Sequence, residues 1–243
     1  ADDEILVSEL EHHANIVPWQ MLCEQTGARL RVAPINDLGE IEMERFEALL
    51  TPRTRLVAVA HVSNALGTIN PVKKIIQLAH DAGAMVLIDG AQSIVHCAID
   101  VQALGCDFFV FSGHKAFGPT GIGALYGRAD LLEAMPPYQG GGDMIKVVRF
   151  AHTEYNDIPF RFEAGTPHIA GALGLASALD YFAALDLPAV FAHEEALLSV
   201  ATARALAVPG LRIVGQAAHK AAVLSFDIEG VHPQDLGTLL DHH

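Results

Sequence analysis

Cysteine and basic residues are both scarce in this chain. Its 243 residues hold three cysteines, Cys23, Cys97 and Cys106. An odd number without C-x-x-C spacing argues against a disulfide framework and against a thiolate zinc site, and points to a reducing, cytoplasmic setting. Lysine and arginine number 15 against 29 acidic residues, a net charge of −14 with histidine neutral. That balance argues against nucleic acid and against membrane surfaces as partners, because both select clustered cations. No apolar run reaches the length of a membrane-spanning helix, and the opening "ADDE" is unlike a signal peptide. Internal repeats and low-complexity segments are missing. So are three common catalytic signatures. "GHKAFGPTGIG" places its lysine before its glycines, the reverse of a phosphate loop; no G-x-S-x-G occurs; and "HEEALL" is not H-E-x-x-H.

What is there is an apolar chain, 51% hydrophobic, able to bury a sizeable core. Strand-like and helix-like segments alternate. "EILVSEL", "ARLRVAPI" and "TRLVAVAHV" read as strands, separated by the helical patterns "ANIVPWQMLCEQTG" and "EMERFEALL". "PVKKIIQLAHDAG" predicts a helix with Pro71 at its first position and Gly83 at its end. "AMVLIDGAQ" and "CDFFVFSGHK" are continuous apolar runs, the pattern of strands buried on both faces. The alternation predicts an α/β fold with a mostly parallel sheet between helices, binding its ligand at the carboxyl ends of the strands. After residues 162–167 the texture changes to an Ala- and Leu-rich helical stretch, broken near Leu187 and Pro188. Two short strands and an amphipathic piece, "HPQDLGTLLDHH", follow. The expected division is a large domain over 1–190 and the start of a smaller α+β domain over 191–243.

Lys115 and Asp89 carry the chemistry. A lysine amine serves as a nucleophile, or as a store for a carbonyl cofactor, at a site that controls its proton. Taken alone, Lys115 equally fits a solvated residue just past a strand. Asp89 ends the run "MVLID", and a carboxylate there requires a cation or a hydrogen-bond donor. A protonated pyridine nitrogen is such a partner. Pyridoxal phosphate needs an acid at its ring nitrogen and a lysine at its aldehyde, and the two strand ends supply both in order. His12 or His13 is placed to stack on a pyridine face, and Gln92 to reach the ring's phenolic oxygen. Ser112 and His114 are candidate phosphate donors, and Asn64 is polar at a further strand end. Each also fits an ordinary capping, turn or solvated role.

Together, "EHHANIVPWQ", "HVSNALGT", "DGAQS", "FSGHKAFGPTGIG", "GGGDMI" and "RFEAGTP" resemble the group II cysteine desulfurases of the class V aminotransferase superfamily. These are fold-type I pyridoxal-phosphate enzymes that supply sulfur for iron–sulfur clusters. The resemblance implies that Lys115 holds the cofactor aldehyde, Asp89 pairs with the ring nitrogen, and His12 stacks on the ring. It places Gln92 at the phenolic oxygen, Asn64 near the substrate carboxylate, and Ser112 and His114 at the phosphate. It implies that Thr166 reaches the cofactor phosphate of a neighbouring subunit, hence a homodimer, and that a sulfur-acceptor protein is a further partner. The substrate is expected to be L-cysteine, with L-selenocysteine the alternative. In the family the nucleophilic cysteine and the arginine that clamps the substrate carboxylate lie past the position of His243, and a further segment precedes Ala1. The chain is therefore expected to be an internal part of such an enzyme, or a non-catalytic piece that keeps the fold.

Overall fold

A computed structural model describes residues 2–242. In chain order its first elements are β1 (Glu4–Ser8), α1 (Val17–Thr26), β2 (Arg29–Ala33), α2 (Met43–Leu49), β3 (Thr54–Ala60), α3 (Val72–Asp81) and β4 (Met85–Asp89). Two four-residue helices follow, α4 (Ser93–His96) and α5 (Val101–Leu104). Then come β5 (Phe108–Ser112), β6 (Gly123–Gly127), α6 (Ala129–Ala134), β7 (Ile145–Arg149) and β8 (His152–Tyr155). The chain continues with α7 (Ile169–Ala183), α8 (Leu187–Leu206), β9 (Leu211–Val214), β10 (Ser225–Ile228) and α9 (Pro233–Asp241). Contacts gather these elements into two compact units. One runs up to Cys106 and resumes from Leu185; the other is Asp107–Ala184. Among the described residues no single helix is long and apolar enough to cross a membrane.

In the first unit β1, β2, β3 and β4 form a parallel ladder in the order β2-β1-β3-β4. Its register sets Ser8 opposite Ala33, and Ala60 opposite Asp89. All of β1 is buried, which is why "EILVS" lacks the alternation of a half-exposed strand. Helix α3 buries Val72, Ile75, Ile76 and Ala79, a stripe at helical spacing, and turns its lysines and Asp81 outward. Its boundary differs slightly from expectation. Pro71 is the residue before the first helical position, and Gly83 takes φ +80° just past the cap at Ala82. Late in the chain, β9 and β10 pair antiparallel. The segment before β10 returns to the turn after β3: Ile69 N–H donates to His219 O and Ala221 N–H to Gly67 O, and Thr68 bridges Lys220.

The second unit contains two antiparallel pairs, β5 with β6 and β7 with β8, together with α6 and α7. The run "CDFFVFSGHK" is not a strand throughout. Extended backbone stops at Ser112, and Gly113–Lys115 forms one turn of 3-10 helix. Similarly "AAVLSFDI" is extended only over β10, and α1 starts after a separate 3-10 turn at His13–Asn15.

Buried polar groups are matched unevenly across the first unit. Glu4, at the amino end of β1, accepts from Thr51 Oγ1 at 2.7 Å and faces Arg31 and Arg53 at 3.6 and 3.5 Å. His61, just past β3, is buried, and its Nδ1 has no hydrogen-bond partner. Burial holds its imidazole down to about 4 from an ordinary 6.5.

Two stability outcomes follow. Phe46, the one buried residue of α2, is 0% exposed, whereas Phe150 is fully exposed. Phe46→Ala should lower unfolding free energy by about 3–5 kcal/mol, and Phe150→Ala by less than about 0.5 kcal/mol, as read from urea midpoints. His61 binds its proton more weakly folded than unfolded, so the stability it lends is present above pH 6.5 and is lost as pH falls toward 4. The stability of His61→Leu relative to the parent should therefore rise on acidification over that range, by roughly 3 kcal/mol. A constant difference would place the His61 proton elsewhere.

Candidate active site

Parallel pairing brings the carboxyl ends of β1, β3 and β4 to one edge of the first unit's sheet. The residues that leave that edge are the ones singled out in the sequence. β1 leads to His12, β3 to Asn64, and β4 ends on Asp89 with Gln92 in the turn that follows. His12 caps the 3-10 turn at His13–Asn15, its Nδ1 accepting from Ala14 N–H at 3.1 Å. In the neutral ring this puts the proton on Nε2. The ring is exposed and lies tilted against His13, with centroids 5.7 Å apart. His12 and Asn64 line one cleft of about 420 Å³, together with Glu9, Glu11, His13 and Ile35. Asp89 and Gln92 do not line it.

Asp89 is half-buried, and the backbone holds it at two points. Its carbonyl accepts from His61 N–H at 2.9 Å, and its Oδ1 accepts from Ala91 N–H at 2.8 Å. Among the described residues Oδ2 accepts no hydrogen bond. A carboxylate with one oxygen fixed and the other open suits a charged N–H donor.

In the second unit Lys115 closes the 3-10 turn that follows β5, half-buried, with His114 beside it exposed. The glycines after the lysine have a packing reason. Gly113 N–H donates to Ile122 O at 2.8 Å, and Gly118 N–H returns to Gly113 O at 2.9 Å. A Cβ on Gly123 would lie 2.5 Å from Phe111 O, and one on Gly118 2.9 Å from Gly113 O. Only glycine lets the loop fold this tightly behind β5. Helix α7 covers the loop: Gly174 meets Pro119, and Phe117 packs on Tyr181 and Phe182. Among the described residues Lys115 has no hydrogen-bond or ion-pair partner. Ser112 ends β5 without capping the turn. Thr166 is exposed between Gly165 and Pro167, ahead of α7.

Sequence reasoning passed over Glu11, Asn15 and His61. The first two had a signal: Glu11, Asn15 and Trp19 recur at i, i+4, i+8, a spacing that aligns side chains along one face. His61 had none, because burial of a lone histidine after a strand is a tertiary outcome.

The profile of the family described as Aminotransferase class-V matches residues 1–243. A cysteine desulfurase of Synechococcus elongatus is 56% identical over 239 residues, covering 98% of this chain and 38% of the relative. One from Dickeya dadantii is 54% identical over 242 residues, covering 99% and 58%. Among solved structures, the cysteine desulfurase CsdA of Escherichia coli superimposes with a TM-score of 0.94 at 42% identity, covering 99% of this chain and 60% of that one. The apo cysteine desulfurase of Thermococcus onnurineus gives 0.93 at 37% identity, covering 100% and 61%. The chain thus spans less than two thirds of these relatives. Its fold, mostly parallel strands flanked by helices, is also that of a cystine C-S lyase with a TM-score of 0.87 at 23% identity. On the full-length match to the family profile and the identity to these relatives, the chain belongs to the aminotransferase class-V family.

Proposed function

We propose that the protein carrying this chain is a pyridoxal-phosphate-dependent cysteine desulfurase. The observation that carries the reading is the Asp89 carboxylate at the carboxyl end of β4, with one oxygen held by main chain and the other accepting no hydrogen bond among the described residues; Lys115, in the other unit, is assigned the aldehyde by its sequence motif. The donor set fits the cofactor. Asp89 Oδ2 is free to accept from a pyridinium N–H, and Lys115 Nζ is free to hold an aldehyde. His12 presents an exposed ring, and Ser112 and His114 flank the lysine with phosphate donors. The high identity to proteins named cysteine desulfurases supports cysteine, rather than selenocysteine, as substrate.

Pyridoxal phosphate supplies an electron sink for charge left at the substrate Cα. Asp89 would keep the ring nitrogen protonated, and His12 would seat the ring. Lys115 would hold the aldehyde and, as a free amine, would move the proton at the substrate Cα. Gln92 would meet the phenolic oxygen, Asn64 the substrate carboxylate, and Thr166 the cofactor phosphate of a second subunit, which makes the assembly a homodimer. A cysteine thiolate would attack the substrate sulfur, forming the S–S bond of a persulfide as the substrate Cβ–S bond breaks; that electron pair would stay with the carbon, which takes up a proton and leaves as alanine. Cys106 is buried, and burial raises the Cys23 and Cys97 thiols, so none of the three is suited to that attack. In this reading the attacking thiolate comes from outside the 243 residues. A sulfur-acceptor protein for iron–sulfur assembly, a cytoplasmic setting, and a large-domain assignment for residues 1–190 with 191–243 opening a smaller domain complete the proposal.

The test is an absorbance spectrum of the protein with added pyridoxal phosphate, alongside Lys115→Ala. A visible band near ~420 nm, expected for the cofactor held on a lysine, should form in the parent and be lost in the variant. A band that survives the substitution would remove Lys115 from its role, and no band in either protein would sink the cofactor assignment.

A further inference from the structure

One buried acid near the site has no part in that mechanism. Glu11 immediately precedes His12, and its carboxyl is buried. It accepts from Ser8 Oγ at 2.5 Å on Oε1, and from Asn15 Nδ2 at 2.7 Å and Ala60 N–H at 2.8 Å on Oε2. The Asn15 amide is itself fixed, because Trp19 Nε1–H donates to its Oδ1 at 2.9 Å and turns its nitrogen toward Glu11. The three partners come from three places. Ser8 ends β1, Asn15 closes the 3-10 turn, and Ala60 ends β3. His12 sits on the turn between two of these ties. The residue after Ala60 is His61, whose N–H holds the Asp89 carbonyl. A single carboxyl thus joins the segment that presents His12 to the strand end that abuts Asp89.

Among the described residues no cation acts on Glu11. The groups facing it are the Ser8 hydroxyl from β1, the Asn15 amide from the turn, the Ala60 N–H from β3 and the Asp89 carboxylate from β4. The other titratable groups on those segments are Glu4 on β1, Glu9 between β1 and the turn, His12 and His13 on the turn, Arg55 on β3 and His61 past it. Burial and, to a lesser degree, the Asp89 charge push Glu11 up to about 7, against the three hydrogen bonds that pull it down. When protonated, the acid can donate from Oε1 to Ser8 Oγ without moving a heavy atom.

We propose that Glu11 is a positioning residue: its carboxyl fixes the turn that presents His12, and its proton decides whether Asp89 faces a second negative charge. The charge half of this inference rests on the cofactor reading above; the positioning half does not.

The experiment uses the protein as its gene encodes it, in two states. Without cofactor, amide exchange at Asn15 and Ile16 reports the turn. Glu11→Ala should speed it by at least ~10-fold, whereas Glu11→Gln, which can still accept from Asn15 and Ala60 and donate to Ser8, should leave it within about twofold. Exchange unchanged in Glu11→Ala overturns the positioning role. With pyridoxal phosphate, the visible band is titrated from about pH 6 to about pH 9. The parent should show a step near neutral pH that Glu11→Gln lacks, the two agreeing at the acid end and diverging at the alkaline end. Superimposable titrations overturn the charge role. Should neither Glu11 variant fold, Trp19→Phe frees the Asn15 amide at a half-buried position; exchange should then rise by a few-fold, and an unchanged rate overturns the proposal. A parent that forms no band sinks the cofactor reading and the charge role with it, while exchange still decides the positioning role.

Discussion

The parallel ladder among β1, β3 and β4 is the constraint on which the first unit's site depends. Parallel strands deliver their carboxyl ends to one edge, so the residues leaving Ser8, Ala60 and Asp89 are neighbours before any side chain is chosen. The ladder extends one residue past β3 through the bond from His61 N–H to the Asp89 carbonyl. A second backbone donor, Ala91 N–H, holds one oxygen of the Asp89 side chain. The direction of the other oxygen is therefore set by main chain, the least mobile part of the structure. The exposed groups, His12 and Asn64, are attached to this edge by short turns.

The two edges of that sheet treat buried acids differently. At the amino edge Glu4 is surrounded by Arg31, Arg53 and the Thr51 hydroxyl, an arrangement that offsets the desolvation of a charge. At the carboxyl edge, among the described residues, Glu11 has three uncharged donors and no cation, and His61 has no partner at Nδ1. Neither titrates where it ordinarily would: the acid is pushed up to about 7 and the base down to about 4. Both shifts have one main cause, burial without counter-charge, and both reduce the number of fixed charges near Asp89. Among the described residues, cations flank the acid at the amino edge of the first unit's sheet, and none contacts Glu11 or Asp89 at its carboxyl edge. Clustered, perturbed ionisable groups of this kind mark functional edges more often than structural ones.

How much of this was legible depended on how local the cause was. Helix α3 was readable because Val72, Ile75, Ile76 and Ala79 repeat at helical spacing. The strands "EILVS" and "MVLID" were readable because they are too short and too apolar for anything else, although "MVLID", expected to be buried on both faces, alternates in burial with Met85 exposed. Strand β6 was not. "GALYG" is bounded by glycine at both ends and half-exposed, and it is extended because β5 offers it an antiparallel partner. The β7–β8 pair escaped for a similar reason, with its valines facing solvent rather than alternating with a core. Asp89 and Lys115 were legible as chemistry, but the end of β5 was placed too late. Its strand pattern runs to Lys115, and the break at Gly113 is imposed by contacts with Pro119 and Ile122, which only the folded loop creates.

That break explains why a lysine stands where an apolar run ends. A side chain on the last residue of a strand is free to follow the strand's fraying, whereas Lys115 is carried on a closed turn. The turn is fixed from both directions, by Gly113 bonding Ile122 ahead and Gly118 bonding Gly113 behind. Phe117 takes φ +61° between them, a conformation rare for a residue of its size, and its ring is held by Tyr181 and Phe182 of α7. Backbone held in such a state persists only where its surroundings over-determine it. Here the surroundings are the loop's own close contacts and the α7 face that covers them. The glycines therefore serve the lysine indirectly: they allow the approach, the approach fixes the turn, and the turn fixes the root of an amine that its own neighbours leave uncommitted.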